Sequence, residues 1–195
     1  VAWASWRADV REEGWQMHKP SYADAERRLL AALRDCARDP RVAAGARALS
    51  FAGEHGALWL AAGLAGAVAD RHRRAAWLRA TALVAGAHLA SMGVKRVVRR
   101  PRPLLAGAEP LVRTEGRHSF PSSHASSAAA AAVAYGALRP VGARLVPPLA
   151  AAVCVSRLVA GVHYPSDIAA GALLGGVTAR AGAAWMRGPL EGSRR

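Results

Sequence analysis

Phe120-Pro121-Ser122-Ser123-His124-Ala125 lies between an arginine-rich stretch and an alanine-rich run. Pro121 followed by two serines reads as a helix start, because serine is a favoured N-cap and proline suits the entry to a helix. The N–H groups of Ser123 and His124 then sit unpaired at the positive end of the helix dipole. Such an end holds an anion, phosphate above all. His124 places a titratable side chain beside it. Taken alone, the stretch reads equally well as an ordinary capped helix with a histidine in its first turn.

Two further stretches favour the phosphate reading. Upstream is Lys95-Arg96-Val97-Val98-Arg99-Arg100-Pro101-Arg102-Pro103. Downstream, Ser156-Arg157 is followed after five residues by His163 and after three more by Asp167. Together the three stretches resemble the signature of the type 2 phosphatidic acid phosphatase superfamily, Lys-x6-Arg-Pro, then Pro-Ser-Gly-His, then Ser-Arg-x5-His-x3-Asp. Lys95, Arg102 and Pro103 match the first part. Pro121, Ser122 and His124 match the second, with Ser123 in place of the usual glycine. Ser156, Arg157, His163 and Asp167 match the third. One short motif is weak; three in order and in register are specific.

The resemblance implies a phosphatase that needs no metal and no other cofactor. It casts His163 as the nucleophile, Asp167 as the group that fixes its tautomer, and His124 as the acid that protonates the leaving oxygen. Lys95, Arg102 and Arg157 supply positive charge to the phosphoryl oxygens, helped by Ser122 and Ser123. These residue types meet the needs of phosphoryl transfer, which are a nucleophile, charge stabilisation and a proton.

The elements that must position these residues are helices. The chain has 195 residues, 27 Lys plus Arg against 13 Asp plus Glu, and a net charge of +14. That balance suits an anionic lipid surface, an anionic substrate or nucleic acid. Aromatic residues are only 6% of the chain and few stand among the basic clusters, which argues against nucleic acid. Cys36 and Cys154 lie in unrelated settings, so no disulfide framework or zinc site is expected. Mean hydropathy is only +0.09, because alanine is diluted by arginine. The distribution is more telling, since apolar runs recur between short charged breaks.

This pattern predicts an all-α membrane bundle of about five spans, near 49–69, 75–94, 122–138, 145–159 and 166–186. Three parts are expected: an N-terminal helical segment over 1–48, a membrane domain over 49–187 and a polar tail over 188–195. Residues 1–20 mix Trp3, Trp6 and Trp15 with charges and lack the pattern of a signal peptide. From Ser21 to about Arg38 an amphipathic helix is expected, with Tyr22, Ala25, Leu29, Leu30 and Leu33 on one face. That helix either packs on the protein or lies in the membrane interface. Loop 95–121 and loop 160–165 are separated by two crossings, so all three motif stretches meet at one end of the bundle.

Glu54 and His55, costly within a span, hint at a pocket wall or a substrate contact. His118 is a further candidate contact. His88 reads as a buried, hydrogen-bonded side chain, and Arg96, Arg99, Arg100, Arg113 and Arg117 as a basic surface. Gly53-Glu54-His55-Gly56-x-x-Trp59 is similar to the actinobacterial branch of enzymes linked to decaprenylphosphoryl-5-phosphoribose. The expected substrate is therefore a lipid or polyprenyl-linked phosphate monoester. Undecaprenyl pyrophosphate, phosphatidylglycerol phosphate and phosphatidic acid stand as alternatives. The soluble, larger vanadate haloperoxidases of the superfamily fit the spans poorly. A rival of another class is a non-catalytic basic membrane protein that binds anionic lipid.

Overall fold

A computed structural model describes residues 21–104, 109–114 and 116–188. The tryptophan-bearing stretch 1–20 and the end of the polar tail, 189–195, lie outside them. The described residues form an all-α bundle. Helix α1 spans Tyr22–Asp35, α2 Pro40–Ala52, α3 Ala57–Ala69, α4 Arg74–Val98, α5 Ser123–Gly136, α6 Pro140–Val159, α7 Pro165–Ala181 and α8 Ala183–Arg187.

Helix α1 starts where its capping box predicts. Ser21 accepts from the Asp24 N–H, and Asp24 accepts from the Ser21 N–H. Its inward face differs from the expected stripe. Glu26 and Leu30 are buried, whereas Tyr22 is 75% exposed and Leu29 50%. The helix is rotated because Glu26 has partners to reach inside the protein.

The first expected span is broken. Helices α2 and α3 have 13 residues each and are separated by Gly53–Gly56. His55 (φ 51°) and Gly56 (φ 73°) are both left-handed, which a right-handed helix cannot absorb. At Gly53 a Cβ would lie 2.9 Å from the His124 ring, so only glycine lets the turn approach α5 this closely. Among the described residues, only α6 is both long and apolar enough to cross a membrane by itself. It begins at Pro140, five residues before the expected start, with proline in its first turn. Helix α4 has 25 residues but carries charge at both ends. Helices α5 and α7 have 14 and 17 residues, short of the roughly 20 that a bilayer asks of one helix.

Helix α5 is the central post. It packs against α4, α6 and α7, and nearly every residue from Ser123 to Tyr135 is buried. Its alanines favour helix and present no bulk, so neighbours approach from several sides. The core around it holds Trp59, Val84, Ala131, Tyr135 and Val153. The Tyr135 hydroxyl donates to the Trp59 carbonyl at 2.8 Å. At the far end, Asp70 takes Arg139 Nε at 2.8 Å and Nη2 at 2.6 Å, and Arg73 donates to the Leu138 carbonyl. These bonds tie the α3–α4 turn to the α5–α6 turn.

The tightest contact is between α5 and α7. A Cβ at Gly171 would lie 2.3 Å from the Ser122 carbonyl oxygen, and one at Gly175 only 1.9 Å from that of Ser126. At Gly176 nothing lies within 4 Å. Gly175→Ala is therefore expected to destabilise the protein by about 1–3 kcal/mol, the usual range for overpacking. Gly176→Ala is expected to be neutral or stabilising by up to about 1 kcal/mol. Thermal unfolding of both variants in detergent checks the pair.

Candidate active site

The three motif stretches converge on one cavity at the end of the bundle where α5 begins. Its wall includes Lys95 from α4, Arg102 from the following loop, Ser123 and His124 from α5, Arg157 from α6 and His163 from the α6–α7 loop. Glu54 and His55 close it from the broken turn between α2 and α3, joined by His88, Met92, Thr114 and Gly116. The expected meeting of the three motif stretches at one end of the bundle is observed.

Each side chain is held from its own element. Ser122 is the N-cap of α5 and accepts from the Ala125 N–H at 3.4 Å. Ser122 is fully buried and does not line the cavity, whereas the next residue, Ser123, does. The Ser123 hydroxyl accepts from Lys95 Nζ at 3.3 Å. Arg102 donates through Nε to the Gly116 carbonyl and through Nη1 to the Val162 carbonyl, both at 2.8 Å, and so braces the loop that carries His163. Arg157 is 5% exposed, and its Nε has no hydrogen-bond partner among the described residues.

The two histidine rings are held differently. His124 Nε2 lies 3.1 Å from the Ser50 carbonyl oxygen. A carbonyl can only accept, so Nε2 carries the proton and Nδ1 is the nitrogen available for exchange. His163 Nδ1 lies 3.5 Å from Asp167 Oδ2, close but without hydrogen-bond alignment. Asp167 thus faces Nδ1 of the ring rather than Nε2. Burial pushes the His163 ring down to about 4. Asp167 pulls the other way, and Arg102, Arg157 and Lys95 add to burial.

Asp167 is wholly buried in the first turn of α7. Its Oδ2 accepts from the Tyr164 N–H at 2.8 Å and its Oδ1 from Arg100 Nη1 at 2.9 Å. Sequence reasoning assigns Arg100 to a basic surface, and that assignment is wrong. Arg100 also reaches Glu26 of α1, 3.0 Å away, and stacks on the Tyr164 ring at 4.0 Å. Burial works against charge on Glu26, but Ser166 and Arg100 hold its carboxyl below the usual range. A glutamate four residues before a buried leucine was the one available signal.

His118 is not in the cavity wall; its backbone bridges that of Pro101. His88 departs from expectation too, because its buried Nδ1 has no hydrogen-bond partner among the described residues. Ser50, whose carbonyl orients His124, left no mark in the sequence because it acts through its backbone.

The sequence profile of the PAP2 superfamily matches residues 75–189, which contain every one of the three motif stretches. The chain belongs to the PAP2 superfamily. It is 47% identical over 145 residues to a decaprenylphosphoryl-5-phosphoribose phosphatase of Mycolicibacterium smegmatis, covering 73% of this chain and 78% of that protein. A protein of the same name from Mycobacterium tuberculosis is 45% identical over 138 residues, covering 70% and 76%. The fold matches the crystal structure of a transmembrane PAP2-type phosphatidylglycerolphosphate phosphatase from Bacillus subtilis. The TM-score is 0.71 at 20% identity, over 89% of this chain and 90% of that one.

In this PAP2 chain the depressed His163 value has a direct check. Nuclear magnetic resonance of ring-labelled histidine should show His163 neutral from pH 8 down to about 4. A midpoint between pH 6 and 7 would contradict the buried, cation-surrounded setting.

Proposed function

We propose that this chain is an integral-membrane lipid phosphatase that hydrolyses a phosphate monoester through a phosphohistidine intermediate. The observation that carries the reading is the cavity itself. Lys95, Arg102 and Arg157 line it together with His124 and His163, and Arg157 Nε has no hydrogen-bond partner among the described residues. A buried cationic N–H without a protein partner favours an anion, and three cations around one space suit a phosphate.

The reaction follows from the polarity of the rings. His163 Nε2 attacks phosphorus while Asp167 faces Nδ1. The bond from phosphorus to the ester oxygen breaks, and His124, protonated on both ring nitrogens when the phosphate dianion is bound, gives that oxygen its Nδ1 proton while Nε2–H stays on the Ser50 carbonyl. Lys95, Arg102, Arg157 and the N–H groups of Ser123 and His124 hold the phosphoryl oxygens. Water then attacks the phosphohistidine, His124 takes up its proton, and inorganic phosphate leaves. The three cations supply the charge stabilisation that a metal supplies in other phosphatases.

The proposed substrate is decaprenylphosphoryl-5-phosphoribose. The identity to the mycobacterial relatives supports it, as does the Glu54-His55 turn, which sets polar side chains opposite His163 where a sugar would lie. A membrane site for a polyprenyl chain is supported by Leu64, Val68, Leu89, Leu173 and Val177, all more than half exposed on the outer faces of α3, α4 and α7. In this reading the chain crosses the bilayer several times, with α2 and α3 together making one broken crossing.

Phosphate release from a panel of lipid phosphates is expected to be highest on the polyprenylphosphoryl pentose phosphate. His163→Ala should abolish release on every substrate. His124→Ala should lose about a hundredfold to ten-thousandfold on the sugar phosphate but much less on nitrophenyl phosphate, whose leaving group departs without a proton. Equal losses on both would reject His124 as the acid. Lipid binding without any phosphate release would favour the non-catalytic rival.

A further inference from the structure

Asp167 aims His163, but it does not hold itself. One oxygen is fixed by the Tyr164 N–H and the other by Arg100. Arg100 is the hub of a closed network. Its Nη1 also donates to Ser166 Oγ at 2.6 Å, and its Nη2 to Glu26 Oε2 at 3.0 Å. Glu26 Oε1 accepts from the Ser166 N–H at 2.6 Å, which closes the ring. Neither Arg100 nor Glu26 lines the cavity. Glu26 is 6% exposed on α1, far upstream in the chain.

A network of this kind is poorly explained by stability alone. Desolvating an ion pair costs about as much as the pair returns, and an apolar residue does the same packing without that cost. Leu30, one turn along α1 and fully buried, is such a residue. What only an arginine provides is a planar fork that fixes two carboxylates at once, here with its plane set by the Tyr164 ring.

We infer that Arg100 and Glu26 are positioning residues for the reaction: they lock the Asp167 carboxylate, and through it His163, to helix α1. The N-terminal helix is thereby part of the catalytic apparatus, and the order of the His163 loop depends on its docking. This inference rests on the reading in which His163 attacks phosphorus.

The test uses the full chain in detergent with nitrophenyl phosphate, and rates are normalised to folded protein by size exclusion and thermal unfolding. Arg100→Gln and Glu26→Gln are each expected to lower kcat, Arg100→Gln by about tenfold to a hundredfold, as for groups that orient a working side chain. KM should stay within about twofold, because neither residue touches the phosphate. Arg100→Lys should recover part of the rate. Adding Arg100→Gln to Asp167→Asn should cost little beyond the worse single change, since one acts through the other. Independent, multiplying losses would overturn the inference, as would a raised KM with kcat intact or a wild-type kcat in folded Arg100→Gln. If Arg100→Gln does not fold, the nearly isosteric Glu26→Gln, combined with Asp167→Asn, carries the same comparison. Activity remaining in His163→Ala would instead remove the phosphohistidine reading itself.

Discussion

The arrangement depends on how closely α7 can approach α5. Gly171 and Gly175 bring the α7 backbone against the carbonyls of Ser122 and Ser126. At that separation the Ser122 N–H donates to the Asp167 carbonyl oxygen at 2.9 Å. The start of α5, which carries Ser123 and His124, and the start of α7, which carries Asp167, are thus joined by one backbone bond. Any side chain larger than hydrogen at these two positions would part them. Close backbone approach through small residues is also how helices associate where lipid rather than water surrounds them.

The electrostatics follow from this closeness. Lys95, Arg102 and Arg157 are gathered around a space that also holds the rings of His124 and His163. Asp167 is turned toward Arg100 and the Tyr164 N–H, and Glu54 is the carboxylate in the cavity wall among the described residues. The wall thus gathers three cations against one carboxylate, with Lys95 and Arg102 already held by hydrogen bonds. Such preorganisation stabilises charge on phosphoryl oxygens without rearrangement during the reaction. The broken turn at Gly53–Gly56 completes the enclosure by carrying Glu54 and His55 to the opposite wall.

The chemistry was legible in the sequence to the extent that it is local. Lys95, Ser123, His124, Arg157, His163 and Asp167 stand in short motifs, and the order of the helices brings those motifs to one end of the bundle. The break in the first span was not read, although two glycines flank Glu54 and His55; an apolar run reports burial, not dihedral angles. Element lengths are hard to read for the same reason, because helices α5 and α7 are shorter than their alanine-rich apolar runs. Arg100 and Glu26 were missed because their meaning is a contact between distant segments. A run of arginines looks like surface, and a lone glutamate on a helix looks solvated, until the fold brings the two together.

The most direct measurement is isolation of the phosphoenzyme. Substrate labelled at phosphorus would be mixed with the protein, quenched in alkali to preserve phosphohistidine, and the label mapped by mass spectrometry. The label should sit on His163 in the wild type, accumulate in His124→Ala with nitrophenyl phosphate, whose leaving group needs no proton, and be absent in His163→Ala. Label on another residue, or full turnover with no label at His163 under conditions that preserve phosphohistidine, would contradict the assignment of His163 as the nucleophile.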